Sequence, residues 1–153
     1  MIRIILSAYL ALNSIFSVNI RDERLASVVW HLSYIDNVKQ PIDRWHFTLW
    51  MGSQTDPDQM MFGEMICNGY ETKFASPITG SLNITFWNST TTACWPESDA
   101  IKEYEFRIRM KQIASYKIEV SPAHQTLYLF DASHFNLLTF ITQSQVFLPL
   151  VAR

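Results

Sequence analysis

Glycine is scarce in this chain, four residues in 153, and that scarcity leaves no glycine loop able to cradle a phosphate. Charge is also sparse. Charged residues make up 17% of the chain, the net charge is −2, and no block of like charge occurs. A nucleic-acid binder would need a basic stripe, so that class is set aside. The histidines at 31, 46, 124 and 134 have neither the HxxxH nor the HExxH spacing of a metal site. There is no nucleophile elbow and no clustered acid pair. The two cysteines, Cys67 and Cys94, have no basic neighbours that would lower a thiol pKa. The expectation is a non-enzymatic protein with no cofactor and no metal.

What the chain does have is apolar mass. With 48% hydrophobic and 14% aromatic residues, a chain of this length can bury the core of one domain. Arg3 precedes an apolar run from Ile4 to Val18, the form of a secretory signal. Residues 1–19 therefore read as a signal peptide, with an uncleaved N-terminal anchor as the alternative, because adding Ile20 brings the run close to the roughly 20 residues a bilayer helix needs. The polar residues of 20–27 make a connector. Localisation is expected to be periplasmic or secreted, or membrane-tethered if the segment stays uncleaved.

From residue 28 the dominant period is two. Val28, Trp30, Leu32 and Tyr34 fall on one face, with His31 and Ser33 on the other. Trp45, Phe47, Leu49 and Met51 repeat the pattern after a turn at Asp36-Asn37, and Gly52 to Asp58 reads as a hairpin loop. Met60–Ile66 and Tyr70–Phe74 flank Cys67-Asn68-Gly69, whose Asn-Gly pair suggests a turn at positive φ. Leu82, Ile84 and Phe86 then alternate with Asn83, Thr85 and Trp87, which assigns the first three to the core. Strands this short and closely spaced indicate a barrel or sandwich, with no parallel βαβ spacing.

The segment after Cys94 gives conflicting signals. Tyr104, Phe106, Ile108 and Met110 alternate with charged residues, as in a strand. Ser98 as a cap and Asp99 in the first turn instead mark a helix start, so the segment 98–113 stays open between strand and helix on local pattern alone. A helix there would carry Phe106, Met110 and Ile113 on one side. Ile101, Tyr104 and Ile108 lie on nearly the opposite side, which would need a second cover, the N-terminal segment or a partner. Ser115–Val120, Thr126–Phe130 and Phe135–Ile141 complete an antiparallel meander. The tail 143–153 is apolar enough to pack on the domain.

The order of these pieces resembles a known family. An apolar strand, Cys67-Asn68-Gly69-Tyr70, a second strand, and Thr90-Thr91-Thr92-Ala93-Cys94 are similar to the META domain, best known from HslJ-like heat-shock proteins. Trp30-His31-Leu32 looks like that family's opening strand, and Glu103, Phe106, Met110, Ile113, Tyr116 and Ile118 fit the spacing after its second cysteine. Roughly residues 26 to 142 are covered. The chain departs from lipid-anchored members in having no cysteine before Cys67.

The resemblance implies a mainly β (α+β) domain over 28–142, an antiparallel curved sheet or small β-barrel with one packed helix over 98–113 that buries Phe106, Met110 and Ile113. It also implies a role in the cell envelope or stress tolerance, acting through an unknown protein partner. The other classes kept open are a carrier of a small apolar ligand, its pocket lined by Trp45, Phe47 and Phe86, and an inhibitor of a secreted hydrolase acting through the Gly52–Asp58 loop. Cys67 and Cys94 could bridge or stay as buried thiols. Asn68, Gly69, Tyr70, Thr91 and Thr92 read as a structural set around the strand crossing, with ligand contact as the alternative. The sequons at Asn83 and Asn88 carry meaning only in a eukaryotic secretory pathway.

Overall fold

The computed structural model describes residues 23–26, 28–40, 47–51, 59–76 and 78–142. The signal or anchor, Trp45, His46, the Gly52–Asp58 loop and the tail 143–153 lie outside the described residues, as does half of the connector. Among the described residues, no helix is long and apolar enough to cross a membrane.

Among the described residues, nine strands form one antiparallel sheet. They are β1 (Trp30–Ile35), β2 (Val38–Lys39), β3 (Thr48–Met51), β4 (Met60–Glu64), β5 (Gly69–Ala75), β6 (Asn83–Ser89), β7 (Ser115–Val120), β8 (Gln125–Phe130) and β9 (Asn136–Thr142). Along the sheet the order is β6-β5-β4-β3-β1-β9-β8-β7, with the short β2 paired to β1. A four-residue helical turn, α1 (Glu23–Ala26), precedes β1, and a long helix, α2 (Glu97–Lys111), joins β6 to β7. The curved sheet does not close into a barrel. Its two edges nonetheless meet at one end, where Ser81 bridges Ser115, Leu82 N–H donates to Ala114 O at 3.1 Å and Tyr116 N–H donates to Gly80 O at 2.8 Å.

The hairpin between β1 and β2 turns at Asp36 and Asn37, both at positive φ (47° and 65°), the conformation a tight two-residue turn requires. The Asn68-Gly69 pair behaves differently from its sequence reading. Gly69 opens β5, and among the described residues positive φ falls at Asp36, Asn37, Gly80 and His134 instead. The reversal from β4 to β5 is closed by Met65 N–H donating to Asn68 O at 2.7 Å, without left-handed backbone.

Two β-bulges correct the expected faces. In β1 the register against β9 jumps between Leu32 and Tyr34. Ser33 is the extra residue, so Trp30, Ser33 and Ile35 are buried while Tyr34 turns toward the outside. In β6 the register against β5 passes from Phe74↔Ile84 to Lys73↔Phe86 and skips Thr85. Leu82 and Ile84 point inward as expected. Beyond the bulge the inward residue is Trp87, and Phe86 is 46% exposed. One inserted residue moves every later side chain to the other face.

The segment after Pro96 is a helix, despite its strand-like alternation. Glu97 and Asp99 in its first turn and Arg109 and Lys111 in its last complement the helix dipole. Ser98 does not cap it. Pro96 is the N-cap, Asp99 N–H donates to Pro96 O at 2.9 Å, and no side chain caps that end. Phe106, Met110 and Ile113 are buried as expected. Phe106 is the keystone of the interior. Its ring lies 4.8 Å from Phe47, 5.6 Å from Tyr70, 6.3 Å from Phe140 and 6.5 Å from Trp87, centroid to centroid. One helical side chain thereby touches β5, β6, β9 and the residue leading into β3. Ile101 and Tyr104, on the other side of the helix, are 52% and 57% exposed.

Candidate functional site

The β4–β5 reversal, the Thr90–Thr92 segment after β6 and the first half of α2 converge on Asn68. Its amide uses its full hydrogen-bonding capacity. Oδ1 accepts from Thr90 Oγ1 at 2.9 Å and from Thr92 N–H at 2.7 Å, while Nδ2 donates to Thr92 O at 3.2 Å and to Glu103 Oε2 at 2.7 Å. Glu103 Oε1 accepts two backbone amides of the reversal, Cys67 N–H at 2.5 Å and Asn68 N–H at 3.0 Å. Both Asn68 and Glu103 are buried, at 8% exposure. A buried carboxylate needs strong donors in place of water, and two turn amides and a carboxamide supply them.

Beside this network Cys67 and Cys94 are joined in a disulfide, with Cα atoms 5.5 Å apart and a sequence separation of 27. On the chain-entropy account, a loop of that length adds about 3 to 4 kcal/mol to stability. Both sulfurs and a Glu103 oxygen lie within 4.8 Å of one another. Sulfurs bonded to each other supply no thiolate, so the trio forms no ligand set in this state.

The residues singled out in the sequence separate by role. Asn68 is the centre of the network. Gly69 N–H donates to Thr90 Oγ1 at 3.2 Å, and Gly69 O accepts from Thr90 N–H at 3.1 Å, extending the β5–β6 pairing by one step. Tyr70 is buried, stacks on Trp87 with centroids 4.7 Å apart, and donates its hydroxyl to Thr48 O at 2.8 Å. Burial drives its pKa far above the ordinary phenol range. Thr92 binds Asn68 through its backbone, and Thr90 does so through its side chain. Thr91 lines the neighbouring cleft.

That cleft, about 310 Å³, lies between the threonine segment and α2 and is lined by Met65, Asn68, Thr90–Thr92, Glu103, Tyr104 and Arg107 among others. The Arg107 guanidinium sits 5.4 Å over the Tyr104 ring, within cation–π range. Comparison with known protein families, with curated proteins and with solved structures returns no match. The case for function therefore rests on the residues themselves. Sequence reasoning placed Glu103 only by its spacing after Cys94 and missed its role as acceptor. A helical glutamate reads as a solvated residue. The one available signal was its place at i−3 and i−7 from Phe106 and Met110, on the stripe that faces the core.

Next to the cleft, the outward side of α2 carries an apolar stripe. Trp95, just before the helix, is 88% exposed, and Ile101 and Tyr104 follow it, with Ile108 half-buried one turn further on. Positions 101, 104 and 108 share one helix face.

Proposed function

We propose that this chain is an exported META/HslJ-like domain of the cell envelope that acts without catalysis, by binding a protein partner through the outward side of α2. The observation that carries the reading is the exposure of Ile101 and Tyr104 on one face of α2, with Trp95 exposed just before the helix. Large apolar side chains grouped on one face and bordered by polar residues mark interaction surfaces, and aromatic residues are enriched in interface anchors. The family resemblance gains support from the way its matching residues meet. Cys67, Asn68, Thr90, Thr92, Cys94 and Glu103 come from separate parts of the chain and form one assembly of a bridge and six hydrogen bonds.

The carrier reading draws less support. Phe47 is in the core, but Phe86 points outward, and the rings of Phe106, Tyr70, Trp87 and Phe140 pack against one another where a ligand would sit. The loop invoked for hydrolase inhibition lies outside the described residues.

The test is site-specific photo-cross-linking in the native host, with the probe at Trp95 and, as control, at Val120 on β7, which is also exposed. The expected result is a discrete protein adduct from Trp95 that disappears on Ile101→Glu, with no matching adduct from Val120. The same adduct from both positions, or none from Trp95, overturns the reading.

A further inference from the structure

On the face of the sheet turned away from α2, four outward side chains form one row across β3, β4, β5 and β6. The register aligns Trp50 with Phe62, Phe62 with Glu71, and Glu71 with Asn88. Trp50 and Phe62 stack with centroids 6.0 Å apart at 25°. Asn88 Nδ2 donates to Glu71 Oε1 at 3.0 Å, which fixes that carboxylate beside the rings. The next row holds Glu64 opposite Gly69. With no side chain at Gly69, the space between Glu64 and Glu71 stays open down to the backbone. The result is a groove of about 390 Å³ lined by Trp50, Phe62, Glu64, Gly69, Glu71 and Asn88 among others.

The charge of this groove has one sign. The charged side chains that line it are Glu64 and Glu71, both carboxylates. Aromatic ring faces carry negative potential and attract cations in the same way. Apolar ring surface together with carboxylate suits an organic cation, whose alkyl groups cover the rings while its charge faces the acids. A neutral ligand would gain only half of that, and an anion would be repelled.

We propose that this groove is a binding site for a small free organic cation of the quaternary ammonium class. The cation sits against Trp50 and Phe62, and Glu64 and Glu71 flank it. Gly69 is the determinant of access. A Cβ placed there meets nothing nearer than Gly63 O at 3.8 Å, and the residue is in an ordinary strand conformation, so a larger side chain fills the groove without disturbing the fold.

The experiment is calorimetric titration of the intact protein with choline and with its uncharged isostere 3,3-dimethylbutanol, repeated on Gly69→Val and Glu71→Gln. Choline is expected to bind saturably, and the isostere about tenfold more weakly or worse, since the charge term of a partly desolvated cation–π contact is of that order. Gly69→Val should abolish binding while keeping the wild-type melting temperature, and Glu71→Gln should weaken it several-fold. Absence of saturable choline binding, equal binding of the isostere, or undiminished binding by a folded Gly69→Val protein each overturns the proposal. Capture on phosphatidylcholine vesicles without saturation by free choline overturns it as well.

Discussion

Arg109 holds Asp36 in a two-pronged grip, Nε at 2.8 Å from both carboxylate oxygens and a terminal nitrogen at 2.6 Å from Oδ2, across 73 residues of sequence. The pair ties the β1–β2 hairpin to the last turn of α2, and the hydrogen bond to Asp36 raises the Arg109 pKa. Both side chains are about a third exposed, so solvent screening reduces the value of the contact. Arg109→Ala should cost about 1 kcal/mol, and Asp36→Asn, which removes the charge and keeps a residue that tolerates the positive φ of that turn, about as much. A double-mutant cycle by urea denaturation should return most of that as coupling energy, and additive single effects would show that the pair contributes nothing.

The Asn68–Glu103 contact should matter more, because both partners are buried. Asn68→Ala removes four hydrogen bonds and leaves Glu103 Oε2 without its donor, at a cost of about 2 to 3 kcal/mol. Asn68→Asp is more informative. It sets a second carboxyl into the network in place of an amide donor, so the introduced carboxyl must hold a proton in the folded state, at a pKa raised above its unfolded value. Stability is then retained below the unfolded carboxyl pKa and lost as pH rises through the folded one. Melting curves at pH 4 and pH 7.5 should show this variant closer to wild type at the lower pH.

Gly63 is needed for space, not for conformation. A Cβ there would lie 2.0 Å from Thr48 O and 2.4 Å from the Tyr70 ring. Glycine is what lets Tyr70 lie across β4 and donate to Thr48. Gly63→Ala should destabilise the protein by about 3 kcal/mol, and Tyr70→Phe, which loses only the hydroxyl, by about 1 kcal/mol. Chemical denaturation of both variants gives the ranking, and it is the reverse of what side-chain size would suggest.

Much of the sheet was legible in the alternation of apolar residues and the turns between them, since β1 and β3 to β9 all lie where those signals place a strand. The register was not. A bulge changes no residue type, so nothing at Ser33 or Thr85 announces that Tyr34 and Phe86 face outward. The helix was obscured for a different reason. Its buried stripe is Asp99, Glu103, Phe106 and Met110, and two acids on the core side weaken any amphipathic signal. The cap signals and the spacing after Cys94 pointed to the helix where hydropathy pointed to a strand. Within the site, Asn68 was recognised as a structural amide, but its main partner lies 35 residues away, a distance that local patterns do not span.

His31 gives the fold an acid limit. It pairs with Thr48 on one side and Ile141 on the other, and burial lowers its pKa from the ordinary 6.5. The unfolded chain therefore takes up a proton near that value before the folded protein does. The stability due to neutral His31 is complete above about pH 6.5 and is lost as pH falls toward the lower folded pKa. Replacing His31 with Gln should flatten the urea midpoint against pH between 7.5 and 5 relative to wild type, and parallel profiles would exclude His31 as the cause.

The position of β1 between β3 and β9 ties the completion of the sheet to its most distant strand. Among the described residues the first long strand has the last as its neighbour, so β1 can pair with β3 while its other edge stays open until β9 is added. A partly folded chain in which β9 is not yet in place displays an unpaired strand edge beside Trp30, the kind of surface that aggregation exploits. Removing β9 would leave that edge permanently open in the middle of the sheet, whereas removing β2, a two-residue strand off the main path, would not.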